Sequence, residues 1–378
     1  MRNPNGISTI VDRLFSPLVA PLGIPEPKQS VGILVGATVA GQRYYFRFGQ
    51  VDLHEGGTSS IEDTVVFIGS NTKVFTATLL ALAASQTSTT QDTRVTDLLP
   101  SDVILKQPHG DILLWHLATH SAGFPTPVCG QRPAFGDYPF SSLGAFLNGF
   151  SPPYAPGRYW VYSNPGFALL GVLLSHAYAG GDSTFNWDAT YQNWPALVVD
   201  RVTAPLGMTS TQVDYSTVKA KVAQGYNYHP ATSLPPAYKA VDPPNWVLTS
   251  AGLGAGALSS TLADMLTFLE AEISPPEGDL GLAMRQTQKV HPPSNVLSMG
   301  LGWQLSNDYF DKNGGFDGYE TYMAFDATHK VGVFVFGNTS GGAGDVITTS
   351  GRILLGELRG IQAMRSTFPT PPEVPQCP

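Results

Sequence analysis

The chain has 378 residues, a formal net charge of −8 and a charged fraction of only 13%. Hydrophobic residues make up 42% and aromatic residues 11%, so the composition predicts a folded globular protein and excludes a disordered one. No block of Lys and Arg occurs anywhere in the chain, which argues against nucleic acid and anionic membrane surfaces as partners.

The sequence leaves the cellular compartment open. No apolar run reaches the roughly 18 residues that a membrane span needs, and we expect no secretory signal in this chain. The low charge content favours a secreted or extracytoplasmic mature form, with a cytoplasmic protein as the alternative.

Cys129 and Cys377 are too few for a disulfide framework or a four-ligand zinc site. They either form one bridge that ties the Pro-rich tail to the body or remain free thiols.

The first elements in chain order are a helix, a hairpin and a second helix. Apolar residues at helical spacing predict an amphipathic helix that ends near Pro17. Residues 31–39 and 42–48 are predicted to be two strands joined at Gly41. Residues 74–84 have the apolar density of a buried helix.

The rest of the chain alternates helical and extended patterns. Helices are predicted at 166–178 and 258–271, and Ser259 or Ser260 would cap the second. Strands followed by a last helix are predicted at 299–305, 319–325, 331–337 and 344–359.

Strands at both ends of the chain predict an α+β fold with one antiparallel sheet flanked by helices. We expect residues 1–80 plus 299–378 to form the sheet domain and residues 81–298 to form a mainly helical inserted domain. A cleft between the two would be the default place for a functional site.

The stretch "GSNTKVF" at residues 69–75 places Ser70 three residues before Lys73 at a strand-to-helix junction. A helix start explains this pair by itself, since Ser caps helices and Lys favours them. A nucleophilic serine beside a lysine that takes part in proton transfer explains it equally well. The catalytic interpretation requires further groups elsewhere in the chain.

Two later stretches supply such groups. "YWVYSNPGFALLG" places Tyr162 and Asn164 just before a helix, and "DKNGG" places Lys312 just before Gly314 and Gly315. A tyrosine held between two lysines can act as general base and then as general acid. The two glycines allow a substrate to approach the backbone closely.

The three motifs, at residues 70–73, 162–164 and 312–314, resemble those of the serine β-lactamase and penicillin-binding-protein-like superfamily. The tyrosine in the second motif is similar to that of class C β-lactamases, D-Ala-D-Ala carboxypeptidases and family VIII carboxylesterases. The resemblance spans about residues 30 to 340. Ser-x-x-Lys alone is a weak signal, but three ordered motifs are a strong one.

The resemblance implies a role for each matching residue. Ser70 would be the acylated nucleophile, Lys73 its partner in proton transfer and Tyr162 the general base. Asn164 would bind a substrate amide or carbonyl, and Lys312 would hold Tyr162 electrostatically. The backbone N–H groups of Ser70 and Gly315 would form the oxyanion hole, and no metal or organic cofactor is implied.

The third motif departs from the family pattern, because Asn313 stands where a threonine that helps to bind carboxylates is common. We therefore expect a serine hydrolase that acts on small-molecule esters or amides and is carboxylesterase-like. The alternatives are an acyltransferase, a β-lactamase or a D-amino-acid peptidase. A non-catalytic acyl-binding sensor is a rival from another class.

Other residues have simpler explanations. His116 and His120 have the i, i+4 spacing of zinc ligands, but they lack the glutamate of H-E-x-x-H and a third ligand. We therefore predict that they are structural. Asp264 is predicted to be a solvated helix residue.

Overall fold

The computed structural model describes most of the chain. The described residues are 4–23, 26, 28–129, 136–181, 187, 193–229, 237–291, 298–306, 308–341, 344–361 and 371–378. The helices are α1 Pro4–Phe15, α2 Thr72–Gln86, α3 Leu114–Ala118, α4 Phe140–Gly149, α5 Asn164–Tyr178, α6 Asn193–Val198, α7 Leu253–Gly256, α8 Leu262–Ile273, α9 Asp279–Thr287 and α10 Gly344–Arg359. The strands are β1 Gly32–Val39, β2 Gln42–Gly49, β3 Val65–Phe67, β4 Gly225–His229, β5 Ala237–Val241, β6 Ser259–Thr261, β7 Gln304–Ser306, β8 Tyr309–Phe316, β9 Tyr319–Asp326, β10 Val331–Gly337 and β11 Thr339–Ser340.

The main sheet has six antiparallel strands in the order β2-β1-β10-β9-β8-β7. It joins the two ends of the chain, as predicted. The hairpin of β1 and β2 is confirmed, and its turn residues Ala40 and Gly41 have φ values of 51° and 83°. Two positive φ values give a turn whose twist matches that of the flanking strands.

Helices α1 and α10 cover one face of this sheet. The predicted amphipathic helix is confirmed, because Ile7, Val11 and Phe15 recur every four residues and are fully buried there. Burial of each such side chain stabilises the fold by about 1.5–3 kcal/mol. Pro17 lies in the 3-10 turn that follows the helix.

Helix α8 covers the opposite face of the sheet, and α2 lies in the larger core together with α5, α7 and α9. Eleven residues of α2 are buried, which explains why its sequence is apolar on all sides. Because α2 begins directly after the 69–71 turn, this buried helix holds the first sequence motif rigidly.

Three local predictions are wrong. Helix α8 begins at Leu262, and Thr261 caps it by accepting a hydrogen bond from the N–H of Asp264 (3.2 Å). Ser259 and Ser260 do not cap it, because they pair with β3 as part of β6.

Residues 299–303 are not a strand, since Met299 bridges to both His291 and Gln304 and Gly302 has a φ of +76°. Asp264 is buried and not solvated, because it accepts hydrogen bonds from the N–H of Ser210 and the hydroxyl of Thr211, both at 2.8 Å.

Cys129 and Cys377 form a disulfide, which decides between the two options that the sequence left open. The bridge fastens the C-terminal tail to the segment before α4, and Cys129 is buried while Cys377 is exposed. Among the helices of the described ranges, none has the length and apolar character required to cross a bilayer.

The division into residues 1–80 plus 299–378 and residues 81–298 stays a prediction. Helix α8 lies within the second segment by sequence but packs on the sheet. Stretches of that segment, including 130–135 and 292–297, fall outside the described residues.

Candidate active site

The turn before α2 brings Ser70 against the edge of the main sheet. Gly69 has a φ of +51°, and a Cβ atom placed on it would lie 2.7 Å from the backbone N of Gly315. The hydroxyl of Thr321 on β9 donates to the carbonyl of Ile68 (3.0 Å) and accepts from the side-chain amide of Asn71 (3.1 Å). Only glycine permits this close approach, so the local sequence places Ser70 beside β8.

Ser70, Lys73 and Tyr162 form a hydrogen-bonded cluster. The Nζ atom of Lys73 donates to Ser70 Oγ at 3.0 Å, and Ser70 Oγ lies 2.5 Å from Tyr162 Oη. One helical turn separates Ser70 from Lys73, which puts both side chains on the same face. Both lysine and tyrosine therefore reach the serine hydroxyl directly.

Asn164 enters the same cluster from the start of α5. Its Oδ1 atom accepts a hydrogen bond from Lys73 Nζ at 2.9 Å, and the carbonyl of Ala255 accepts another at 2.6 Å. The hydroxyl of Ser163 caps α5 by accepting from the N–H of Gly166 (3.0 Å). Tyr162 and Asn164 thus lie on either side of a helix cap, which holds their backbone in place.

Lys312 approaches Tyr162 from β8. Its Nζ atom lies 5.1 Å from the ring centroid of Tyr162, and Lys73 Nζ lies 4.9 Å from the same centroid. Lys312 Nζ also donates to the carbonyl of Asn313 at 3.0 Å. The tyrosine ring therefore lies between two amines, as the sequence motif suggested.

Burial controls the protonation of all three groups. It lowers the pKa of Lys73 well below 10.5, and the nearby charge of Lys312 lowers it further. Burial also lowers the pKa of Lys312 to about 8, against the opposing effect of Asp311. The pKa of Tyr162 is raised by burial, although its hydrogen bond with Ser70 acts in the other direction. These shifts disfavour the ammonium form of Lys73 and the phenolate form of Tyr162.

A cavity of about 440 Å³ opens above Ser70. It is lined mainly by polar side chains and by the two glycines of β8. The lining residues are Ser70, Trp160, Tyr162, Asn164, Gln304, Asp311, Asn313, Gly314, Gly315, Tyr322, Thr348 and Arg352. The structure therefore brings all the sequence-predicted site residues together, with Lys73 and Lys312 buried beneath this surface.

Sequence reasoning missed Gln304, Asp311, Thr348 and Arg352, which share no motif. Asp311 immediately precedes Lys312, so adjacency was the one available signal. The other three come from β7 and α10, and only the tertiary structure brings them to the cavity.

His116 and His120 bind backbone groups through their Nδ1 atoms, which accept from the N–H groups of Leu113 (2.8 Å) and Ser163 (3.0 Å). Within the described ranges, no cluster of His, Cys, Asp and Glu has the arrangement of a metal site.

The model of the family described as Beta-lactamase matches residues 11–357, which is most of the chain. The chain belongs to this β-lactamase family. It is 25% identical over 309 residues to a β-lactamase of Yersinia enterocolitica, a match that covers 79% of this chain and 69% of that one. It is also 25% identical to the D-alanyl-D-alanine-carboxypeptidase/endopeptidase AmpH of Escherichia coli K12, with 76% of each chain covered.

The fold agrees with this membership. A crystal structure of a class C β-lactamase superposes with a TM-score of 0.72 at 20% identity, over 93% of this chain and 98% of that one. The superposition confirms the predicted α+β fold. Members of the family are serine hydrolases that act through an acyl-enzyme. This chain is accordingly a serine hydrolase.

Proposed function

We propose that the protein is a carboxylesterase-like serine hydrolase in which Ser70 is the nucleophile. The observation that carries the proposal is the position of Ser70 Oγ, which lies within hydrogen-bond reach of both Lys73 Nζ (3.0 Å) and Tyr162 Oη (2.5 Å). A nucleophilic serine requires such a neighbouring base.

In acylation, Ser70 Oγ attacks the ester carbonyl and loses its proton towards Lys73, whose ammonium form is disfavoured by burial. Tyr162 bridges Ser70 and the leaving group, so it passes a proton to the departing alkoxide oxygen as the C–O bond breaks. The N–H groups of Ser70 and Gly315 are the donors that would stabilise the oxyanion, and the close contact of Gly69 with Gly315 supports this assignment.

In deacylation, a water molecule takes the position of the departed alcohol. Tyr162, which acylation leaves deprotonated, accepts a proton from the water as the water attacks the acyl carbonyl, and Lys73 returns a proton to Ser70 Oγ as the acyl–Oγ bond breaks. Asn164 holds Lys73 in position and presents its side-chain amide to the acyl group. These steps need only residues of this chain.

The third motif favours an ester over a β-lactam substrate. Asn313 is exposed and lines the cavity at the position where a hydroxyl residue is common in the family. An amide side chain at this position weakens the recognition of a β-lactam or peptide carboxylate. The relatives named β-lactamase and carboxypeptidase/endopeptidase make these activities the second candidates.

The test uses excess p-nitrophenyl butyrate with the wild type, Ser70→Ala and the exposed control Ser101→Ala. We expect continuous release of nitrophenol by the wild type and Ser101→Ala and none above background by Ser70→Ala. Release equal in all three proteins would overturn the assignment of the nucleophile.

Three further outcomes would identify the alternatives. A single-equivalent burst that becomes turnover on addition of an alcohol indicates an acyltransferase, and a burst that does not resume indicates a sensor. Hydrolysis of a chromogenic cephalosporin at a higher kcat/KM than the ester indicates a β-lactamase.

A further inference from the structure

The cavity extends from Ser70 into a polar branch between β8 and α10. We define the polar branch by the six side chains that line it: Gln304, Asp311, Asn313, Tyr322, Thr348 and Arg352. These side chains come from four different elements, and Asp311 and Tyr322 are at most 1% exposed. Buried polar side chains therefore line the branch, and none of them takes part in the proton transfers proposed above.

Its position along β8 indicates which part of a substrate enters it. Ser70 follows Gly69, which packs on Gly315, and the Nζ atom of Lys312 lies over the ring of Tyr162. The leaving group takes its proton from Tyr162, which contacts Lys312 and shares the cavity with Asp311 and Asn313 on either side of that lysine, so the polar branch is next to the leaving group.

The charge in the branch is internally paired. The Nη2 atom of Arg352 donates to Asp311 Oδ2 at 3.1 Å, and Arg352 Nε donates to Tyr309 Oη at 3.1 Å. Tyr322 Oη also donates to Asp311 Oδ2, at 3.0 Å. The guanidinium therefore faces the cavity with its charge already matched by a buried carboxylate.

The remaining polar atoms favour a neutral ligand. The hydrogen bonds of Arg352 to Tyr309 and Asp311 use its Nε and Nη2 atoms, and Asp311 Oδ1 has no partner in the described part of the chain. A carboxylate entering the branch would approach Asp311 and compete with it for Arg352, at a high desolvation cost. A hydroxyl or carbonyl oxygen can accept from Arg352 Nη1 and from the amides of Asn313 and Gln304 without that conflict.

We propose that the polar branch is a subsite for the leaving group, specific for an uncharged alcohol that carries further hydroxyl or carbonyl groups. This inference rests on the proposed esterase function. Asp311 acts in it as a specificity-determining residue, because it cancels the charge of Arg352 and so excludes anionic leaving groups.

The test compares three butyrate esters with the wild type: the ester of glycerol, the ester of 1-propanol and the ester of 3-hydroxypropanoate. Release of butyrate is measured for all three, and each kcat/KM is divided by the rate of alkaline hydrolysis to remove intrinsic reactivity. We expect the glycerol ester to be preferred over the propyl ester by about tenfold, as two hydrogen bonds would give. We expect the carboxylate ester to react no faster than the propyl ester.

Two variants test whether Arg352 and Asp311 cause these preferences among the three esters. Arg352→Gln should reduce the preference for the glycerol ester at least threefold, since the Nη1 donor is lost. Asp311→Asn should raise kcat/KM for the carboxylate ester relative to the propyl ester, because the guanidinium is then unmatched. Ratios between substrates are compared within each protein, so partial unfolding of a variant does not alter the result.

The outcomes separate this inference from the function on which it rests. Hydrolysis of none of the three esters, with Ser70→Ala as background, would contradict the proposed esterase function. Turnover at equal normalised rates, or a wild-type preference for the carboxylate ester, would overturn the subsite while leaving the esterase in place.

Discussion

The Nζ atom of Lys73 lies 3.0 Å from Ser70 Oγ, and its other two hydrogen bonds go to the neutral oxygens Asn164 Oδ1 and Ala255 O. In the described structure, no carboxylate balances this fully buried amine. Lys73 is therefore held in a setting that disfavours its ammonium form, which suits proton transfer but costs stability.

Lys73→Met should remove activity while stabilising the fold. The pKa of Lys73 is lowered in the folded state, so the unfolded chain binds more protons between the folded-state and unfolded-state pKa values. This lysine makes the free energy of unfolding rise with pH up to its unfolded pKa. We expect the variant to lose about 10²–10⁴-fold in kcat/KM and to gain on the order of 1 kcal/mol at pH 7, with a flatter pH dependence in urea unfolding. The exposed Lys106→Met is the control, and a Lys73→Met variant less stable at every pH with an unchanged slope would contradict the argument.

Lys312 should determine the alkaline limit of activity. Burial lowers the pKa of Lys312 to about 8. We propose that Lys312 holds Tyr162 electrostatically, and that it does so only while Lys312 is protonated. Activity should therefore fall as pH rises through about 8. In Lys312→Arg the guanidinium stays charged, so this limb of the kcat/KM profile should move to higher pH even though kcat falls. An unmoved limb would assign it to another group.

Gly69→Ala should reduce both stability and activity more than the same substitution at another glycine with a positive φ. The new Cβ would lie 2.7 Å from both N and O of Gly315, at a φ of +51°. Gly56 is the matched control, since it has a φ of +70° and nothing within 4 Å of a Cβ. Gly56→Ala should lose only about 1–2 kcal/mol of stability from left-handed strain. Gly69→Ala should lose more, together with at least tenfold in kcat, and equal effects in the two variants would argue against a role of this contact.

Glu272→Gln should stabilise the protein above neutral pH. Glu272 is fully buried, and burial raises its pKa to about 8 from 4.5, while the side-chain amide of Gln288 donates to it at 2.7 Å. A raised carboxyl pKa means that stability falls as pH rises from 4.5 towards 8.

We expect the free energy of unfolding of Glu272→Gln to exceed that of the wild type by about 1–3 kcal/mol at pH 8.5 and to match it near pH 4.5. Urea unfolding at several pH values measures this difference. The exposed Glu277→Gln should show no change, and an equal change in both variants would contradict the prediction.

Loss of the disulfide should destabilise the protein. Cys129 and Cys377 are 248 residues apart in sequence, so the bridge restricts a large part of the unfolded chain. Cys377→Ser should lower the free energy of unfolding by about 2–4 kcal/mol. Dithiothreitol should reproduce the loss in the wild type and have no further effect on the variant. An unchanged unfolding midpoint after reduction would show that the tail is dispensable.

The sequence by itself determined the features that depend on short-range spacing. The apolar period of Ile7, Val11 and Phe15 predicts the first helix, and the Ser-x-x-Lys spacing places Ser70 and Lys73 on one helical face. Because such patterns act within one or two turns of chain, they survive without knowledge of the rest of the fold. The three motifs also predicted that Ser70, Lys73, Tyr162, Asn164 and Lys312 belong to one site, and the structure brings these side chains together.

Only the tertiary structure decided the features that depend on distant partners. Residues 259–261 are strand and not helix because they pair with β3, about 195 residues earlier in the chain. The choice between a disulfide and free thiols likewise depended on where the tail packs. Arg352 reaches Asp311 from α10, and this pairing determines the charge of the polar branch. Pairing and burial are properties of the assembled core, so no local pattern encodes them.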